Sequence, residues 1–247
     1  MGELKTALVT GADRGFGLMI AERLLKEGFR VFAGKFIESY TLLEDLQKQY
    51  PELYIVQMNV QDPAHMKAAA AEIEKVSGKL DLLVSNAAIM GNYAETPTDV
   101  INGMRHIDSD MMTTFFMTNS FAAPLLVDTF LPLLEKGDMK RLFFTSSEIS
   151  SVRLMRREGS MRYAMSKAAL NLGVRMIYNE LRPEGFTFRL YQPGWMMRQN
   201  PDGSIDHSHA IVEPDDSAKE AVRQMLEDRL DEDRLVLTDY LGRELSF

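Results

Sequence analysis

Short apolar runs recur along the chain, each followed by a longer segment whose apolar residues fall at helical spacing. This alternation restricts the fold more than any other feature. LKTALVT (4–10), FRVFAG (29–34), LYIVQM (53–58), LDLLVS (80–85), RLFFTS (141–146), FTFRLYQ (186–192) and LVLTD (235–239) read as strands. Helical patterns cover 15–27, closed by Gly28, then 39–49, Asp62 to about Ser77, 109–134, YAMSK to about Leu181, and 215–228. Asp62 followed by Pro63 is an N-cap with proline at the first helical position. Pro124 and Pro132 are expected to bend or end the long helix 109–134. Strand–helix alternation demands right-handed crossovers and a parallel sheet covered on both faces. No repeat, low-complexity tract or linker divides residues 1–247. The reading is one α/β domain of doubly wound, Rossmann type, with a seven-stranded, mostly parallel sheet and helices on both faces. Such sheets bind ligands outside the carboxyl ends of their strands.

Composition removes several function classes. Lys and Arg number 28 against 36 Asp and Glu, a net charge of −8, and no basic block stands out, so nucleic acid is not an expected partner. There is no cysteine, which excludes disulfides, thiolate metal sites and cysteine nucleophiles. That usage fits a reducing compartment, and a cytoplasmic location is expected. No apolar run approaches the roughly 18 residues needed to span a bilayer, no signal-peptide pattern opens the chain, and no membrane association is expected. MGELKT formally matches an N-myristoylation pattern, but Thr6 already belongs to the first apolar strand. His207 and His209 share a polar loop without carboxylate geometry, so no metal is expected.

The end of the first strand carries TGADRGFG (10–17), with Gly11, Gly15 and Gly17 spaced G-x-x-x-G-x-G. Glycines there permit a tight turn, let backbone N–H groups approach a pyrophosphate and allow close helix–strand packing. The following helix N-terminus favours the anion. An NAD site wants an acidic residue about 20 positions on, for the ribose 2′-hydroxyl. Here Lys35 holds that place, and Arg14 sits inside the loop. Two cations and no acid suit a 2′-phosphate, so NADP is preferred, with NAD possible.

YAMSK (163–167) sets Tyr163 and Lys167 on one helical face, a turn apart. Such a spacing is common and needs company. The company is at the other strand ends: SNAA (85–88), TSSEISS (145–151) and QPGW (192–195). Together with TGADRGFG, Asn119 and YAMSK, these motifs resemble the short-chain dehydrogenase/reductase family over essentially the whole length. RYAMSKAALN, QPGW and the closing DYLGRELSF are similar to its C-factor-like carbonyl reductase branch.

The resemblance implies an oxidoreductase acting on a small-molecule carbonyl or alcohol. It implies Tyr163 as proton donor in reduction and base in oxidation, with Lys167 favouring its phenolate. A free tyrosine titrates near 10, so a cation is needed. Ser147 would bind the substrate oxygen, with Ser150 as the alternative, and Asn119 would hold a water that relays protons from Lys167. The implied cofactor residues are Gly11, Arg14, Gly15, Phe16, Gly17, Lys35, Asn59, Val60, Asn86, Ala87, Ala88, Tyr163, Lys167, Pro193, Gly194, Trp195 and Met196. Assembly as a homodimer or homotetramer through helices 109–134 and 163–181 is implied as well. Three positions depart from the family pattern: Ala88 where glycine is usual, Arg198 where threonine follows PGW, and Asn59 where aspartate often meets adenine. Ala88 is expected to crowd the backbone near the cofactor. Segments 152–161 and 194–216, rich in methionine, suit an adaptable apolar substrate pocket or simple core filling. A dinucleotide-binding sensor with little turnover is the alternative function. A nucleotide-sugar epimerase is disfavoured by length.

Overall fold

In this computed structural model, residues 4–90, 108–156, 159–208 and 210–247 are described. Residues 1–3 of the N-terminal acylation pattern and His209 lie outside them. Strands β1 (Thr6–Val9), β2 (Arg30–Lys35), β3 (Leu53–Gln57), β4 (Leu82–Ser85), β5 (Arg141–Thr145), β6 (Thr187–Gln192), β9 (Leu237–Asp239) and β10 (Glu244–Leu245) form one sheet. Its order is β10-β9-β6-β5-β4-β1-β2-β3. All pairs are parallel except β9–β10. The sheet thus has eight strands rather than seven. The extra one is a two-residue antiparallel edge strand, too short to leave an apolar pattern. A second, two-stranded antiparallel hairpin joins β7 (Arg198–Gln199) to β8 (Ile205–Asp206), in a segment to which the sequence assigned no strand.

Helices α1 (Gly15–Lys26), α2 (Leu42–Gln47) and α7 (Pro214–Leu226) cover one face. Helices α3 (Pro63–Val76), α5 (Ala122–Leu134) and α6 (Met161–Leu181) cover the other. Period-two geometry sends Ala7 and Val9 of β1 into the first core and Leu8 into the second. Burial on both sides is why β1 reads as a continuous apolar run. As expected, Asp62 caps α3: its side chain accepts from Ala64 N–H at 2.8 Å.

The long helical segment departs from expectation. Helix α4 (Ser109–Phe116) runs straight into a π-turn (Met117–Phe121) and then α5, and neither proline ends it. Ala122 N–H reaches back five residues to Met117 O. Pro124 follows Ser120 by four residues, so the carbonyl its ring would strike lies inside the π-turn, out of α register. Pro132 lies in the last turn. Ser109–Leu134 is also long and apolar enough to cross a membrane, which the apolar-run reading did not foresee. However, 56% of its most apolar window is buried in the core, through residues such as Leu126 and Phe130. The strand order reverses between β1 and β4, so the switch point of the sheet, where such folds bind ligands, lies there.

Candidate active site

The glycine loop is held at that switch point. Thr10 N–H donates to Val84 O of β4 and Ala12 N–H to Gly34 O of β2, both at 3.0 Å. Asn86, just past β4, fastens the loop: its Nδ2 donates to Thr10 O (3.0 Å) and Gly11 O (3.1 Å), and its Oδ1 accepts from Thr145 Oγ1 at the end of β5 (3.1 Å). Ala87 N–H donates to Thr10 Oγ1 at 3.1 Å. Gly11 has φ +63°, and a Cβ there would come within 2.8 Å of Ala87 Cα. A Cβ at Gly17 would lie 2.2 Å from Gly11 O and 2.6 Å from Asn86 Nδ2. Both glycines are therefore dictated by packing. Ala88 shows no positive φ, so alanine fits its own backbone without strain. The Phe16 side chain turns away from the loop and stacks on Tyr191 in the core (centroids 5.8 Å, interplanar 7°), leaving only its backbone for a ligand.

The two cations expected to read a 2′-phosphate are not equivalent. Arg14 lies with its guanidinium 5.1 Å from the Tyr40 ring centroid. Lys35 is buried, and its Nζ donates to Glu44 Oε1 of α2 at 2.5 Å. That hydrogen bond holds the Lys35 pKa above its ordinary value. Its charge is already matched, which the sequence reading did not anticipate. Glu44 Oε2 is buried with no hydrogen-bond partner. Asp13, inside the glycine loop, is also taken up: its Oδ1 accepts from Phe36 N–H (2.6 Å) and Ile37 N–H (2.8 Å), fixing the turn after β2. Asn59 Oδ1 accepts from Gln61 N–H at 3.0 Å, and the Val60 side chain belongs to the core.

At the ends of β5 and α6 the serine question narrows. Ser146 Oγ donates to Asn171 Oδ1 (2.6 Å), Asn171 Nδ2 donates to Ser150 Oγ (2.7 Å), and Ser150 Oγ donates to Ser147 O (2.5 Å). Ser146 and Ser150 are thereby locked and buried. Ser147 is half-buried; its Oγ accepts from Ile149 N–H at a long 3.3 Å. Tyr163 is also half-buried, and Lys167 Nζ lies 5.8 Å from its ring centroid. Lys167 is 2% exposed, donates to Thr145 O at 2.7 Å, and has no carboxylate partner among the described residues. Burial pushes its pKa down to about 7.

Asn119 sits in the π-turn, where its side chain grips the chain after β4. Its Oδ1 accepts from Ile89 N–H, and its Nδ2 donates to Ile89 O (both 2.8 Å) and to Ser166 Oγ (3.0 Å). Ser166 Oγ donates in turn to Tyr163 O at 2.9 Å. Asn119, Tyr163 and Lys167 thus form one hydrogen-bonded and packed unit. After β6, Gly194 has φ +86° and its N–H donates to Gln192 Oε1 at 2.7 Å. Pro193 is buried, Trp195 is exposed, and Met196 bridges to Val212 in parallel while packing on the core. Met90, Leu154, Trp195 and Ile211 present apolar surface to solvent in or beside the expected substrate segments. His207 Nδ1 lies 3.4 Å from Glu213 Oε1. The residues that sequence reasoning missed are Asp13, Tyr40, Glu44 and Gln199. Only Asp13 carried a signal, as a carboxylate inside an anion cradle.

The comparisons agree with this fold. The short chain dehydrogenase family model matches residues 5–202. The chain belongs to that family. An uncharacterized oxidoreductase of Schizosaccharomyces pombe is 28% identical over 242 residues, 97% of this chain and 92% of the relative. The crystal structure of an NADPH-bound carbonyl reductase from chicken fatty liver superposes with a TM-score of 0.83 at 27% identity, covering 100% of both chains. A putative short-chain dehydrogenase/reductase from Burkholderia multivorans with bound NADP gives a TM-score of 0.81 at 26% identity, covering 99% of this chain and 100% of that one. The protein is accordingly an oxidoreductase of the short-chain dehydrogenase family.

Proposed function

We propose that the protein is an NADP(H)-dependent carbonyl reductase, interconverting a small-molecule carbonyl and an alcohol. The observation that carries this is Lys167: an ammonium with no carboxylate partner among the described residues, held beneath the Tyr163 ring at the carboxyl edge of the sheet. A buried lysine without a carboxylate is costly, and such costs concentrate at reacting sites. The NADP-bound and NADPH-bound structures of similar proteins support the choice of cofactor class.

The residues fit a dinucleotide. The glycine loop offers backbone N–H groups at the start of α1, and the close packing of Gly11 on Ala87 and of Gly17 on Gly11 O and Asn86 fixes that loop in place. Arg14 would face the adenosine ribose, while Lys167 and the ring of Tyr163 would hold the nicotinamide end. A bound nicotinamide supplies or accepts the hydride. Tyr163 donates the proton to the carbonyl oxygen in reduction. Ser147, the least constrained of its serines, donates a hydrogen bond to the same oxygen and stabilises the charge developing there. Asn119 fixes Ile89 and Ser166 around this centre and holds the proton-relay water. The exposed apolar side chains Phe121, Leu125, Leu172 and Met176 lie on the helical segments where the family assembles, and we read them as the face of a homodimer or homotetramer, states that light scattering distinguishes directly.

Two results test this reading. Purified protein is expected to oxidise NADPH in the presence of a panel of ketones and aldehydes. Binding without any turnover across the panel would replace the reductase with a sensor of the same fold. Because Glu44 matches the Lys35 charge, Glu44→Gln is expected to free that ammonium for a 2′-phosphate. The ratio of NADPH to NADH affinity should rise by about two- to fivefold, the effect of roughly 0.5–1 kcal/mol from a partly exposed charge pair. An unchanged ratio by calorimetry would remove Lys35 from cofactor selection.

A further inference from the structure

Gln199, on β7, is 5% exposed and points back into the glycine loop: its Oε1 accepts from Gly15 N–H at 2.6 Å. Gly15 opens α1, so this N–H is one of the donors that the helix leaves without an internal partner. The same donors make the loop an anion cradle. The bond is supported from several sides. Gln199 Nε2 donates to Gly203 O (3.3 Å), and Tyr40 Oη donates to Gln199 O (3.4 Å). Within the β7–β8 hairpin, Asn200 N–H donates to Ser204 O (2.8 Å) and Gly203 N–H to Asn200 O (3.0 Å). At the tip, a Cβ on Gly203 would sit 3.4 Å from Leu42 of α2. The hairpin therefore reaches from the glycine loop, past Tyr40, to the start of α2. That is the adenosine side of the groove, and Arg14 lies against the same Tyr40.

We infer that Gln199 is an internal competitor for the dinucleotide pyrophosphate, and that the β7–β8 hairpin straps the cradle shut in the free protein. An amide oxygen is a neutral substitute for a phosphate oxygen: it satisfies the N–H but gains little from the positive end of α1. A diphosphate takes the same N–H with a full charge, so it displaces Gln199 at the cost of one hydrogen bond. Gln199 thus sets cofactor affinity and the rate of cofactor entry without touching the reacting atoms. The inference rests on the dinucleotide reading above.

Titration of wild type, Gln199→Ala and Gln199→Glu with NADPH, NADH and ADP-ribose, by calorimetry and stopped-flow fluorescence, tests it. Gln199→Ala removes the competitor, and its Kd is expected to fall roughly five-fold with a faster association rate, the factor that one net hydrogen bond corresponds to. Gln199→Glu keeps an acceptor at Gly15 and makes it anionic, so it is expected to bind about tenfold more weakly than wild type, the scale of one hydrogen bond to a charged group. Binding with an unchanged or higher Kd in Gln199→Ala overturns the inference alone. If Gln199→Ala does not fold, Gln199→Glu decides: unchanged or tighter binding there overturns it. Silence of all folded proteins toward every dinucleotide overturns the cofactor reading and this inference together.

Discussion

Tyr163→Phe is expected to lower carbonyl reduction by about 10³-fold, within the 10²–10⁴-fold range of a positioned general acid, while the NADPH Kd stays within about twofold of wild type. The split follows from what the substitution removes. The ring stays where α6 puts it, and the Lys167 ammonium keeps its bond to Thr145 O. Ser166, which accepts from Asn119 and donates to the carbonyl of residue 163, uses only backbone there and is untouched. The cradle formed by Gly11, Gly17 and Asn86 is made by other elements altogether. What disappears is one hydroxyl. Ser147 still polarises the substrate oxygen, but a serine hydroxyl under no comparable cationic influence is a poor proton donor, so kcat falls and binding does not. The measurement is steady-state NADPH oxidation beside calorimetric Kd and a thermal melt. Residual turnover within tenfold of wild type would show that another group delivers the proton.

The sheet was readable because parallel strands buried on both faces leave continuous apolar runs, and each predicted strand of the main sheet falls within one or two residues of β1–β6 or β9. What escaped reading was short or non-local. Glu244–Leu245 and the hairpin strands are two residues each, and they pair through backbone groups that impose no side-chain pattern. Pro124 does not end the helix because its penalty assumes α register, and the π-turn removes that register just before it. The same distinction runs through the site. Gly11, Gly17, Tyr163 and Lys167 stand in local motifs whose spacing states their geometry. Glu44 lies nine residues from Lys35 on another element, and Gln199 is 184 residues from Gly15. Those pairs exist only after the chain has folded. They are also the two contacts that modify the simplest prediction from the glycine loop, an open cradle with two free cations.

Lys167→Met is expected to abolish most turnover, by about 10²–10⁴-fold, and at the same time to make the cofactor-free protein more stable at neutral pH. The ammonium is 2% exposed and has one protein acceptor, Thr145 O, so burial holds its folded-state pKa at about 7, against 10.5 unperturbed. At and below about pH 7 both folded and unfolded chains carry the proton, and the cost of the buried charge is present in full. Between about pH 7 and 10.5 the unfolded chain binds the proton and the folded one sheds it, so this group makes stability rise with pH across that window. A shift of this size corresponds to about 4–5 kcal/mol. Methionine keeps the apolar stem and removes the charge, but it leaves Thr145 O without its donor, a loss of about 1–3 kcal/mol. The first effect exceeds the second at pH 6.5, so the variant should melt several degrees higher there. Its advantage should shrink as pH rises and reverse by about pH 10, because only the lost hydrogen bond remains. Titrating groups away from this site are common to both proteins and cancel in the difference, so its pH dependence reports Lys167 together with the Tyr163 phenol that it faces. A stability difference that stays flat from pH 6.5 to 10 would mean that the ammonium is solvated or neutralised in the folded protein. It would then not be the uncompensated charge that the proposed chemistry of Tyr163 requires.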